Sequence, residues 1–106
     1  MIEIRQFVRY PFALPVKLET IKLAKKELFD LVTRDISASG TFIPALTSFP
    51  EGTRVKLDFT LPINNLTKFR DIEKLKSCTG RVVRSESQGI AIQFDKGYQI
   101  ESLKAL

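Results

Sequence analysis

The sequence contains no histidine and no tryptophan, and Cys78 is its single cysteine. One cysteine excludes an internal disulfide, which fits a reducing compartment. Without histidine the chain lacks the commonest general base of enzymes, and it has no Ser–His–Asp or Cys–His pair. The same absence leaves no conventional zinc cluster. An enzyme is therefore the least favoured class of function, and we expect neither catalytic residues nor a metal site.

Long hydrophobic runs are also missing. No apolar stretch approaches the length of a membrane span, and the N-terminus lacks the basic and apolar regions of a signal peptide. These absences predict a cytoplasmic chain, either alone or as one module of a longer protein. The 106 residues predict a single domain with one core. The net charge of +5 favours an anionic partner, although solubility alone also accounts for it.

Short runs of alternating apolar residues dominate the pattern. They predict strands at 14–23, 26–36, 40–46, 53–61, 75–86 and 89–95. Six short strands separated by turns predict an all-β fold, a six-stranded antiparallel β-barrel over residues 13–96. Ile100, Leu103 and Leu106 have helical spacing, which predicts a short C-terminal α-helix over 97–106.

Two arginines flank the stretch "RQFVR" near the start of the chain, Arg5 and Arg9. A guanidinium is a planar, permanently charged fork that binds a phosphate or the O6/N7 edge of guanine with two hydrogen bonds. In an extended chain the even spacing puts both side chains on one side. By itself the pair is a common pattern, and two solvated charges are the usual explanation.

A polar stretch, "RDISASG", covers residues 34–40. Asp35 and Ser37 can bond nearby backbone amides and nucleate a tight turn, and Gly40 is able to adopt a positive φ. The Asp35 carboxylate could accept hydrogen bonds from the N1–H and N2–H₂ edge of guanine. A polar turn between two strands is the alternative interpretation.

The third stretch is a hairpin, "GRVVR" (80–84) followed by "GIAIQF" (89–94). Its valines and isoleucines predict core strands. If the first strand is regular, Arg81 and Arg84 lie on opposite faces, because three positions separate them. At most one of these two arginines would then face a given site.

In their order and spacing the three stretches resemble the PilZ domain family, over nearly the whole chain. The resemblance implies a bacterial receptor for cyclic di-GMP, built on a six-stranded antiparallel β-barrel with a C-terminal helix. It also implies that the ligand is bound by Arg5, Arg9, Asp35, Ser37 and Gly40. All five motif positions carry the residue types of the family, so the resemblance predicts a binding-competent member without a cofactor.

The position of the arginine pair suggests how such a receptor would signal. Residues 1–12 precede the first strand, so we expect a flexible arm that the ligand pulls against the 35–40 turn. This ordering would change a surface seen by a downstream protein effector. Ile4, rather than another cation, precedes Arg5. One ligand per domain is therefore expected.

Two other functions fit the composition. One is a PilZ-like interaction module that binds a protein partner and no nucleotide. The other is a small β-barrel that binds single-stranded nucleic acid, since such barrels combine cations with exposed stacking aromatics. Its candidate aromatics are Phe7, Tyr10, Phe69 and Tyr98. Most of the remaining phenylalanines fall on core-facing positions, so binding to DNA is not expected.

Overall fold

One antiparallel sheet accounts for the described part of the chain. The computed structural model describes residues 9–21, 27–60 and 77–98. In these ranges the sheet has seven strands in the order β2-β1-β5-β6-β7-β4-β3 and is curled into a half-barrel. The strands are β1 (Pro15–Thr20), β2 (Leu28–Val32), β3 (Asp35–Ile36), β4 (Gly40–Ile43), β5 (Arg54–Phe59), β6 (Cys78–Glu86) and β7 (Gly89–Phe94).

Alternation along the strands determines the inner and outer faces of the sheet. In β5, Val55, Leu57 and Phe59 are buried, whereas the residues between them are exposed. β1 shows the same alternation. Apolar side chains from six strands and the adjoining segments meet on the concave side in one core. Sequestering this apolar surface from water is the main force that holds the sheet in its curled form.

The predicted all-β antiparallel fold is confirmed, with one strand more than expected. The run 26–36 forms two strands, β2 and β3, because the chain leaves the ladder at Thr33 and Arg34. The hydroxyl of Thr33 donates to the carbonyl of Phe12 at 2.6 Å and accepts from the amide of Leu14 at 2.9 Å. The Thr33 side chain thus bonds to the N-terminal segment at the point where β2 ends.

The predicted C-terminal α-helix is replaced at its start by a 3₁₀ turn over Lys96–Tyr98. The amide of Tyr98 donates to the carbonyl of Asp95 at 2.8 Å. Gly97, a poor helix former, lies inside this turn. Residues 99–106, which carry the rest of the prediction, lie outside the described residues. Within the described ranges no helix has the length and hydrophobicity that crossing a bilayer requires.

The segment before β1 runs between the two edges of the sheet. Tyr10 exchanges both backbone hydrogen bonds with Ile36 of β3, at 2.7 and 2.8 Å. Further along, the amide of Thr33 donates to the carbonyl of Leu14 at 3.0 Å. Residues 10–14 therefore connect β3 to β1, and they fix Arg9 beside the start of β3.

A β-bulge interrupts β6 between Val82 and Arg84. On one side of the bulge Arg81 pairs with Gln93 of β7, and on the other side Arg84 pairs with Ala91. Two positions separate Gln93 from Ala91, so both arginines lie on the same outer face of the sheet. The opposite faces that we expected of a regular strand are not found, because the extra residue of the bulge reverses the alternation after Val82.

Candidate functional site

Arg9 and Asp35 lie side by side on the outer surface of the sheet. The Tyr10–Ile36 bridge aligns the two segments, and Arg9 Nη1 lies 3.9 Å from Asp35 Oδ1. Both side chains are mostly buried, with 22% and 16% of their surface exposed. The structure thus brings together one residue from each of the two polar motifs that the sequence singled out.

A second arginine, Arg34, also contacts the Asp35 carboxylate. Its Nε lies 3.4 Å from Asp35 Oδ2, and half of its side chain is exposed. The Arg34 guanidinium lies 3.9 Å from the ring centroid of Phe42, the register partner of Asp35. Phe42 is almost fully buried but does not belong to the main core cluster. Its ring is therefore a flat apolar support for a cation outside the core.

Sequence reasoning overlooked the Arg34–Phe42 pair. The residues are eight positions apart in the sequence: Arg34 lies between β2 and β3, and Phe42 lies on β4. Only the β3–β4 register, in which the amide of Arg34 donates to the carbonyl of Phe42 at 2.9 Å, brings them together. The one signal available in the sequence was an arginine directly before the motif aspartate.

Ser37 shapes the turn between β3 and β4. Its amide donates to the carbonyl of Gly40 at 2.8 Å. Its hydroxyl accepts from the amide of Ser39 at 3.3 Å and reaches the carbonyl of Gly40 at 3.4 Å. The residue is 8% exposed. In this structure the serine therefore acts on the backbone of the turn, and Asp35 is the side chain that a ligand could contact.

Gly40 serves close packing rather than an unusual backbone conformation. It does not use the positive φ that a glycine is able to adopt. A Cβ atom at this position would overlap the carbonyl oxygen of Ile92 on β7. The remaining motif residue, Arg5, lies outside the described residues, as does Phe7 between the two arginines.

The PilZ domain family model matches residues 3–106. The chain belongs to the PilZ domain family. A similar solved structure is that of the PilZ domain of CeSA from a cellulose synthesizing bacterium, with a TM-score of 0.58 and 21% identity. The match covers 91% of this chain and 90% of that one, and it supports the fold. No curated protein matches the sequence. PilZ domains are known as receptor domains for cyclic di-GMP.

A second polar cluster of this PilZ domain joins β5, β6 and the end of β7. Arg54 donates two hydrogen bonds to the Asp95 carboxylate, at 2.7 and 2.5 Å. The hydroxyl of Thr79 donates to the same carboxylate. Hydrogen bonding lowers the pKa of Asp95 to about 2, and Arg54 contributes more to this shift than Thr79 does. Asp95 therefore stays ionised at every physiological pH and balances the charge of Arg54.

We expect Asp95→Asn to destabilise the domain in a pH-dependent way. The folded-state pKa lies below the unfolded-state value of about 3.9, so the carboxylate stabilises the fold above about pH 4. This contribution disappears as the pH falls towards 2. Because the pair is partly exposed, its size is about 1 kcal/mol or less. Urea unfolding at about pH 6 should show the difference between wild type and variant, and unfolding near pH 2 should not.

Asp58→Asn is the matched control, because Asp58 is an exposed carboxylate on the same strand as Arg54. At about pH 6 it should change the stability less than Asp95→Asn does, because Asp58 does not accept the hydrogen bonds that Arg54 and Thr79 donate to Asp95. An equal loss of stability for Asp95→Asn at both pH values would show that the charge of Asp95 does not stabilise the fold.

The lone cysteine has no role in the chemistry of the site. Cys78 is 1% exposed and lies in the core. Burial, together with the nearby charge of Asp95, raises the pKa of its thiol to about 12. A thiol in this environment remains protonated, so Cys78 is a packing residue.

Proposed function

We propose that this PilZ domain is a receptor for cyclic di-GMP and that Arg9 and Asp35 provide its central contacts. The observation that carries the proposal is the Asp35 carboxylate on the outer face, with the guanidinium groups of Arg9 and Arg34 at 3.9 and 3.4 Å. Two cations and one carboxylate within one small area match a ligand that presents both phosphates and guanine edges.

The chemistry of guanine accounts for both signs of charge. A carboxylate accepts from N1–H and N2–H₂ of guanine, and adenine lacks both donors, so Asp35 discriminates between the bases. An arginine fork donates to a phosphate or to the O6/N7 edge. The 3.9 Å separation of Arg9 and Asp35 exceeds hydrogen-bond distance. Better-aligned bonds to the ligand can therefore replace this ion pair.

The proposal includes the segment before β1. Arg5 supplies the second guanidinium. Tyr10 is already paired with Ile36, so the part of the 1–12 arm that the ligand draws against the 35–40 turn is the part that precedes Arg9. The surface around Arg9 changes, and a downstream protein effector binds differently to the changed surface. One cyclic di-GMP binds per domain. We also infer a cytoplasmic location, in keeping with a lone, reduced cysteine.

A titration with cyclic di-GMP tests the function directly. A ligand at a hundred times its dissociation constant stabilises the native state by about 2.7 kcal/mol, which raises the thermal midpoint by several degrees. Calorimetry should give one ligand per chain. Cyclic di-AMP at the same concentration is the control and should produce a much smaller shift. An unchanged midpoint with cyclic di-GMP, together with no calorimetric heat, contradicts the proposal.

Binding to single-stranded nucleic acid finds less support in the structure. All eight aromatic residues in the described ranges are buried or half-buried, including Tyr10 and Tyr98. Base stacking needs exposed rings beside cations. If cyclic di-GMP has no effect and an oligonucleotide binds with a steep salt dependence, the nucleic-acid interpretation replaces our proposal.

A further inference from the structure

A row of outward-facing residues leads away from the β3–β4 turn across the sheet. In the strand register Gly40 pairs with Gln93, Gln93 pairs with Arg81, and Arg81 pairs with Arg54. The side chains of Gln93, Arg81 and Arg54 are all exposed. Neighbouring strands are about 4.8 Å apart, so Arg81 lies about 10 Å from the turn.

This row forms one wall of an open groove. The groove is lined by Arg54, Arg81, Gln93, Phe94, Asp95 and Lys96. It contains three cationic side chains and one carboxylate, and it begins at Gln93, the direct neighbour of Gly40 on the outer face. The groove and the 35–40 turn are therefore adjacent parts of one surface with excess positive charge.

The two arginines of the groove differ in whether a carboxylate within hydrogen-bond distance neutralises their charge. Arg54 is bound by two hydrogen bonds to Asp95. Arg81 instead contacts the neutral side-chain oxygen of Gln93, at a long 3.3 Å. Within the described ranges it forms no ion pair within 4 Å, and its charge acts on the Asp95 carboxylate only at longer range. A guanidinium has five N–H donors, and a single long bond leaves most of them available to a ligand. Of the two arginines, Arg81 is also the nearer to the turn.

We propose that Arg81 is a further contact for the ligand and that the groove receives the half of the dinucleotide that Arg9 and Asp35 do not bind. The inference rests on the proposed function. Cyclic di-GMP contains two guanines and two phosphates, and a single carboxylate such as Asp35 recognises one guanine edge. Arg81 binds a phosphate or the O6/N7 edge of the second guanine, both of which match its fork. Gln93, between Gly40 and Arg81, orients the guanidinium.

The test compares cyclic di-GMP affinity in Arg81→Gln and Lys56→Gln. Lys56, like Arg81, is an exposed cation, and it lies on β5. Its register partners are Thr79 and Glu19, so it belongs to the next outward-facing row of the sheet and not to the row of Arg54, Arg81 and Gln93. We expect Arg81→Gln to raise the dissociation constant at least about tenfold, since charge-assisted bonds of this kind are worth that much or more. Lys56→Gln should change it less than about twofold, because exposed charges beyond direct contact are screened.

Three outcomes are distinguished by including Arg9→Ala and a thermal melt of each variant. If Arg9→Ala abolishes binding while Arg81→Gln behaves like Lys56→Gln, the inference fails and the proposed function stands. If the wild type does not bind cyclic di-GMP, both fail. If Arg81→Gln loses affinity with an unchanged thermal midpoint and a weaker salt dependence than wild type, the inference holds.

Discussion

Arg9→Ala is expected to weaken cyclic di-GMP binding by about 2–5 kcal/mol, which is about 30-fold or more in the dissociation constant. Arg9 is only 22% exposed and lies beside the Asp35 carboxylate, so its guanidinium meets the ligand in a partly desolvated place. Truncating it removes the bonds to the ligand and also leaves the ligand's anionic group without a partner. Calorimetry with the purified variant measures this loss.

Lys17→Ala is the matched control for charge. Lys17 is an exposed cation on β1, opposite Asp30 of β2 and Asp58 of β5 in the register, away from the 35–40 turn. It removes the same formal charge and should leave the affinity nearly unchanged. Equal affinities of wild type and Arg9→Ala would refute the assignment of Arg9 to the site.

Gly40→Ala is expected to cost about 3 kcal/mol of folding stability, because a Cβ forced into a packed region shifts the surrounding backbone. The added atom would overlap the main-chain carbonyl of Ile92, and a strand backbone cannot move aside as the end of a flexible side chain can. β4 would separate from β7, and the turn that presents Asp35 would be displaced. Denaturant unfolding should show a large decrease in the midpoint.

Gly97→Ala is the control for this second substitution. Gly97 does not have a positive φ, and among the described residues no atom beyond its chain neighbours lies within 4 Å of the position of its Cβ. Alanine should therefore be tolerated there, or be slightly stabilising. Unchanged stability of Gly40→Ala would show that β4 and β7 separate more easily than their close packing indicates. The motif glycine would then need another explanation.

The fold was largely predictable because the alternation of apolar residues is a local signal. Val55, Leu57 and Phe59 alternate with polar residues, and this pattern by itself indicates a strand with one buried face. The division of the 26–36 run was not predictable in the same way. It depends on the bonds of Thr33 to Phe12 and Leu14, which are about twenty positions away in the sequence.

The candidate site was predictable only in part. The resemblance to PilZ domains pointed to Arg9 and Asp35, and the Tyr10–Ile36 bridge accounts for their proximity. The position of Arg81 depends on the register of β6, and the common face with Arg84 depends on the bulge. Neither the register nor the bulge can be predicted from a short run of sequence, since both are set by pairing with strands elsewhere in the chain.

The backbone bridge between Tyr10 and Ile36 has a thermodynamic consequence for the proposed receptor. Tyr10 directly follows Arg9, and Ile36 directly follows Asp35, so the two bridge hydrogen bonds adjoin both proposed ligand contacts. Pairing of the segment before β1 with β3 and binding of the ligand at Arg9 and Asp35 are then linked. Each of the two changes the equilibrium constant of the other by the same factor. A partner that competes for the backbone of Ile36 would lower ligand affinity without touching the ligand. By the same reciprocity, cyclic di-GMP would lower the affinity of that partner.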